Sequence, residues 1–124
     1  MQNNPVIWFE LYVQDMNRAK RFYESVFGFN LTKIDTPTPG MEMWGFPMEQ
    51  NRVGAGGALA KMDGVPSGGG GTLIYFSCDD CAVEAKKAAQ NGGKIHKEKF
   101  SIGQYGQIAL VVDTEGNMIG LHSM

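Results

Sequence analysis

The chain has 124 residues, 11 Lys and Arg against 13 Asp and Glu, a formal charge of -2 and only two cysteines. That length supports one domain able to bury a core without disulfide or metal staples, and the slightly acidic balance gives no electrostatic footprint for nucleic acid. The opening MQNNPVIW has no basic segment followed by an apolar run, and no stretch reaches membrane-spanning length, so a cytoplasmic location with no membrane partner is expected.

In chain order, the first segment reads as a strand. Phe9, Leu11 and Val13 alternate with Trp8, Glu10 and Tyr12, the two-residue period of an element with two different faces. The odd positions are assigned to a helix-covered face and the even positions to a concave face. Asp15 ends the strand with a carboxylate suited to the free amides and the positive pole of a following helix. Met16, Ala19, Phe22, Tyr23, Val26 and Phe27 then fall at helical spacing, and Gly28 supplies a left-handed stop. Further strands are predicted over Phe29–Ile34 and Met41–Phe46, separated by the proline-interrupted loop 36–40. On the second of these, Glu42, Trp44 and Phe46 share a face, and Pro47 ends it. A turn around Gln50, Asn51 and Arg52 leads to a weak strand over 53–60, whose glycines let another backbone or a ligand come close.

Asp63–Thr72 reads DGVPSGGGGT, the composition of a linker. It lacks the Gly-Lys-Ser/Thr and the following helix signal of a phosphate-cradling loop, so it is a joint between modules or a flap over a site. Leu73–Asp80 repeats the opening strand at an offset of 65, with Leu73 in the place of Trp8, Phe76 of Leu11, Asp80 of Asp15 and Gly93 of Gly28. Cys81–Asn91 is an alanine-rich helix with a thin packing face. Strands are predicted over Lys94–Lys97, Tyr105–Val112 and Met118–His122, the last two joined by a tight turn at Asp113–Asn117 with glycine at the position needing positive φ. Five lysines fall between Lys86 and Lys99, but Glu84 and Glu98 sit among them, the pattern of a solvated face. Cys78 and Cys81 have the spacing of a redox or half-zinc motif, yet no second pair completes a zinc site. Parity puts Cys78 in the core, while Cys81 opens a helix.

Two copies of a βαβββ unit follow from this: module one at about 6–62, a linker at about 63–71 and module two at about 72–124. They predict one α+β domain in which tandem modules form a pseudo-twofold, curled mixed sheet around a central cleft. The stretches FELYVQDMNRAKRFYESVFGF, SCDDCAVEAKKAAQNGGKI and DTEGNMIGLH resemble the vicinal oxygen chelate superfamily, the fold of glyoxalases, bleomycin-resistance proteins and extradiol dioxygenases. The last stretch is similar to that family's Asp-Pro-Asp-Gly-Asn turn, with Thr114 where proline is usual.

The resemblance implies where a metal would sit. In metal-dependent members four ligands, mostly His, Glu or Gln, occupy the opening and closing strands of each module, and those places fall here on Trp8, Gly57 or Ala58, Leu73 and Gly120. None offers a suitable donor, so no cofactor is expected. Glu10, Tyr75 and His122 each lie two residues past such a place and on the same strand face. One reading makes Glu10 and His122 the start of a displaced divalent metal site or an acid/base pair. The other has Glu10 held by backbone amides or tyrosine hydroxyls and His122 partly solvated.

Nine of the thirteen aromatic residues precede Pro47. Trp8, Tyr12, Trp44 and Phe46, with Met41, Met43 and Met48 around them, are either the walls of a pocket or core filling the space of an ion. The leading expectation is a metal-free protein that binds a small organic molecule, with Trp8, Trp44 and Phe46 stacked on it, Tyr12 beside them, and Glu10, Tyr75 and His122 at its polar end. In this it resembles bleomycin-binding members that sequester a drug. The alternative is a glyoxalase-type lyase or isomerase using a displaced metal or Glu10 as general base. The resemblance also implies a homodimer.

Overall fold

The computed structural model describes every residue except 1–4, 7, 37, 50 and 52. The elements run β1 (Trp8–Tyr12), α1 (Met16–Phe27), β2 (Thr32–Ile34), β3 (Met41–Gly45), β4 (Gly56–Met62), β5 (Ile74–Ser77), α2 (Cys81–Gln90), β6 (Lys94–Ser101), β7 (Gln107–Val112) and β8 (Met118–Ser123). Both helices start on an aspartate. The Asp15 carboxylate accepts from Arg18 N at 3.0 Å, and Asp80 accepts from Ala82 N at 3.0 Å, each satisfying an amide that has no partner within its helix. Gly28 ends α1 at φ 76°, its N–H bonded to Glu24 O.

The strands form two mixed four-stranded sheets of the same order, β1-β4-β3-β2 and β5-β8-β7-β6. In each, the opening strand pairs parallel with the closing one and the remaining pairs are antiparallel. The sheets are not closed, so β1 and β5 are both edge strands. The result is an α+β fold of two modules.

One face of both sheets is covered by the helices, and there the two halves share a single core. Leu11, Val13 and Leu59 from the first half join Ala109, Val111, Ile119 and Leu121 from the second. Tyr23 on α1 is the hub: its ring meets Phe46 edge-on at 5.5 Å and Phe76 at 5.7 Å. Its hydroxyl donates to Asp113 Oδ2 at 2.6 Å. A second, smaller cluster of Met43, Ala58 and Ala60, with Tyr12, Ile34 and Met41 against it, occupies the opposite, open face of the first sheet.

Several boundaries differ from the sequence reading. β2 begins at Thr32 because Phe29 leaves the strand path to stack on Phe27 at 5.5 Å, while Leu31 N donates to the Glu24 carboxylate at 2.9 Å. β6 runs on to Ser101, and its register shifts near Lys97 hide the two-residue period. Tyr105 belongs to a 3₁₀ turn, Gly103–Tyr105, so β7 starts at Gln107. After α2 the positive φ falls on Gly92, at 93°, and not on Gly93, whose N–H donates to Ala88 O. Of the turn at 50–52, Gln50 and Arg52 lie outside the described residues.

Cys81 is fully buried, and Cys78 packs against the core with its thiol pushed up to about 12, first by burial and then by the nearby Glu84 carboxylate. Cys78 is therefore not a reactive thiolate, and Cys81 has no exposed surface for a reagent to reach. Among the described residues no helix is long and apolar enough to cross a membrane.

Candidate functional site: a groove between two sheet edges

A groove of about 610 Å³ opens where the edges β1 and β5 approach one another. Glu10 and Tyr12 line it from β1, and Leu73 and Tyr75 line it from the β5 side. The linker supplies another wall through Pro66, Gly68, Gly70, Gly71 and Thr72, a stretch with little side chain to offer. Strand parity accounts for Glu10, Tyr12 and Tyr75 in the lining, while Phe9, Leu11 and Ile74 also border the groove because it opens at the strand edges. Phe9 and Leu11 point mainly into the helix-side core, so Trp8, Glu10 and Tyr12 occupy the open face, and on β5 Ile74 and Phe76 turn inward and leave Tyr75 outside.

The three open-face side chains of β1 form a unit. Glu10 Oε2 accepts from Trp8 Nε1 at 3.2 Å, and Glu10 Oε1 accepts from the Tyr12 hydroxyl at 2.8 Å. The Tyr12 hydroxyl is held above its ordinary pKa, chiefly by that hydrogen bond and then by burial and the Glu10 charge, so it remains a donor. Tyr75 lies flat over Gly120, where any Cβ would collide with its ring. Gly57 is covered in the same way by the ring of Phe9 on the helix side.

Trp44 and Phe46 are not in the groove. In the antiparallel β3–β4 register Trp44 stands opposite Leu59, which puts it on the helix side, where Lys20 Nζ sits 3.3 Å from its ring centroid. Its Nε1 donates to Glu42 Oε2 at 2.9 Å. Phe46 is buried among Phe9, Tyr23, Phe29 and Phe76. The open-face positions of β3 belong instead to Met41 and Met43. Trp8 lies on the open face, its ring over Gly56 beside Met48, but outside the groove lining. His122 does not line the groove either. It stands on β8, one strand in from the edge, and its Nε2 donates to Tyr105 O at 2.6 Å. Glu10 and Tyr75 therefore share the groove, and His122 does not join them.

The turn Asp113–Asn117 does more than reverse the chain. Glu115 Oε1 accepts from Gln14 N and Asp15 N at 2.9 and 3.0 Å, and Arg18 reaches both carboxylate oxygens, Nε to Oε2 at 2.6 Å and Nη2 to Oε1 at 2.9 Å. Burial would raise the Glu115 carboxyl, but Arg18, these amides and the Thr114 hydroxyl outweigh it and hold the group at about 2. Asn117 donates from Nδ2 to Tyr12 O at 2.8 Å and accepts from Gly68 N at 2.6 Å, so one side chain ties the β1 edge to the linker wall. In the sequence this stretch reads as a tight turn resembling the family's, with no reading of what its side chains hold. Its glutamate, an acidic residue not needed for the turn itself, is the signal that could have found the clasp.

The four places assigned to metal ligands carry Trp8, Leu73, Gly120 and, on the open face, Ala58. An indole N–H already donating to Glu10, two alkyl groups and a glycine do not fit a divalent ion. Among the described residues no three His, Cys, Asp or Glu side chains cluster in a way that could hold one.

The model of the Glyoxalase/Bleomycin resistance protein/Dioxygenase superfamily matches residues 6–121. The chain belongs to this superfamily. Among curated relatives of this superfamily member, the "Putative glyoxylase CFP32" of Mycobacterium tuberculosis is 29% identical over 119 residues, which cover 92% of the chain and 43% of that protein. The present chain thus spans less than half the length of that relative. Glyoxalase I from Zea mays superposes with a TM-score of 0.75 at 23% identity, over 96% of the chain and 46% of its own. TnmS3, an antibiotic binding protein from Streptomyces sp. CB03234, superposes with a TM-score of 0.67 at 26% identity, over 99% and 98% of the two chains.

Proposed function

We propose that this superfamily member binds a small organic molecule in the groove between β1 and β5, without a metal at the family's usual place. The observation that carries the reading is the groove itself: about 610 Å³, within the range of small-molecule sites, mostly apolar, with a few converging polar groups in Glu10, Tyr12 and Tyr75. The lack of donor side chains at Trp8, Ala58, Leu73 and Gly120 supports the absence of a metal-centred reaction. TnmS3, whose length the chain matches, is described as an antibiotic binding protein, which favours sequestration as the closest analogy.

Titration with Nile red, a neutral planar dye, tests the location. Gly71 lines the groove, a Cβ added to it would meet nothing within 4 Å, and its φ is not positive, so Gly71→Trp is expected to crowd the groove without straining the chain. Dye binding is expected to be lost in Gly71→Trp and kept in Trp44→Leu, since Trp44 faces the helices. Equal binding to wild type and Gly71→Trp would place the ligand elsewhere.

The second reading is a glyoxalase-type lyase or isomerase using a displaced metal or Glu10 as general base. It is favoured by the position of that carboxylate in the groove and by the name of the mycobacterial relative. Metal analysis after chelator-free purification separates the two: stoichiometric divalent metal that disappears in Glu10→Ala would support the enzyme.

A further inference from the structure

The groove carries charge at one point. Among the described residues that line it, Glu10 alone has a charged side chain. Both described hydrogen bonds to its carboxylate come from neutral donors, the Trp8 indole and the Tyr12 hydroxyl, which do not balance its charge. No described lysine or arginine is ion-paired with it; the described pairs are Arg18 with Glu115 and Lys99 with Asp80. A carboxylate in the lining of a groove, with no cation paired to it among the described residues, is complementary to a positive ligand.

The surrounding groups point the same way. Tyr12 from one edge, bonded to the carboxylate, and Tyr75 from the other are both in the lining, and Tyr75 is 49% exposed, so ring surface is available in the same groove as the carboxylate. Aromatic faces attract cations through their quadrupole, most strongly where water is partly excluded. The rest of the lining, Val6, Leu73, Met118 and the linker glycines among it, is mostly apolar, with Thr72 and Asn117 polar but uncharged.

We infer that the groove selects an organic monocation, with its ammonium head beside Glu10 and the rings of Tyr12 and Tyr75 and its apolar body along the linker wall. This rests on the groove being the ligand site, and it adds the charge of the ligand. Benzoylcholine and its neutral carbon isostere, 3,3-dimethylbutyl benzoate, have the same shape and differ in that charge. Titrating each at matched concentration into ¹⁵N-labelled protein, with the amides of Gly71, Leu73 and Tyr75 as reporters, reads both site and preference. The cation is expected to bind roughly tenfold more tightly than the isostere, and that advantage is expected to vanish in Glu10→Gln and to shrink with added salt. Tyr75→Leu, which keeps the carboxylate, is expected to weaken the cation more than the isostere. If both probes shift the groove amides equally, or if Glu10→Gln leaves the preference intact, the charge assignment is wrong while the groove remains the site. If neither probe moves those amides, the groove reading fails with it.

Discussion

Glu115 has two carboxylate oxygens and accepts from two backbone amides and a guanidinium, which hold the end of β1 and the start of α1 against the β7–β8 turn, and from the Thr114 hydroxyl within that turn. Its side chain is wholly buried, so removing it strands several donors at once. Glu115→Gln is expected to cost about 2 to 3 kcal/mol near neutral pH, read by urea unfolding. The pH dependence has a definite sign. A carboxyl held at about 2 in the fold stabilises it above the ordinary carboxyl range, and that contribution is lost as pH falls toward 2. Asp113 runs the other way, raised by burial against the hydrogen bonds from Tyr23, Asn117 and Glu115, so its charged form weighs against the fold and acid relieves it. The gap between wild type and Glu115→Gln is therefore expected to narrow between about pH 4.5 and about pH 2.5. A gap that stays constant with pH would show that the carboxylate charge is not what the clasp uses.

At the scale of elements, the linker joins β4 to β5 and also walls the groove. Gly68 sits at φ 81° with its N–H on Asn117 Oδ1, and a Cβ there would lie 3.2 Å from Gly116 O. Gly68→Ala is expected to destabilise by about 1 to 2 kcal/mol, whereas Gly71→Ala, with open space and no positive φ, stays within about 0.5 kcal/mol. Equal effects in chemical denaturation would mean that the wall is not held where it stands. Much at this scale was legible in the residues. The alternation of Phe9, Leu11 and Val13, the two capping aspartates and the stop at Gly28 were visible because each is a local preference. The orientation of β3 was not, because Met41 and Met43 on one side and Trp44 and Phe46 on the other are all apolar, and only pairing with Leu59 and Ala60 decides which pair meets the helices. Glu10 and Tyr75 could be placed by parity on β1 and β5. The distance of His122 from them could not, since it depends on strand order.

For the whole molecule, the decisive fact is that residues from both halves pack into one helix-side core around Tyr23. Two modules built this way have no separate cores to retreat to, and a single cooperative transition is expected. Both tryptophans lie in the first half, whereas far-UV dichroism reports helices and strands in both. Urea transitions followed by the two signals are expected to coincide; an earlier midpoint in tryptophan emission would show the first half unfolding alone. The same arrangement leaves β1 and β5 unpaired by one another and separated by the groove, spanned at one end by Asn117 and flanked by the glycine-rich passage. Since that flank is nearly bare peptide, there are few side groups on it to exchange for larger or smaller ones. The bore on that side is governed by how many residues connect β4 to β5, so shortening or lengthening the connection would retune what fits inside while leaving both sheets as they are.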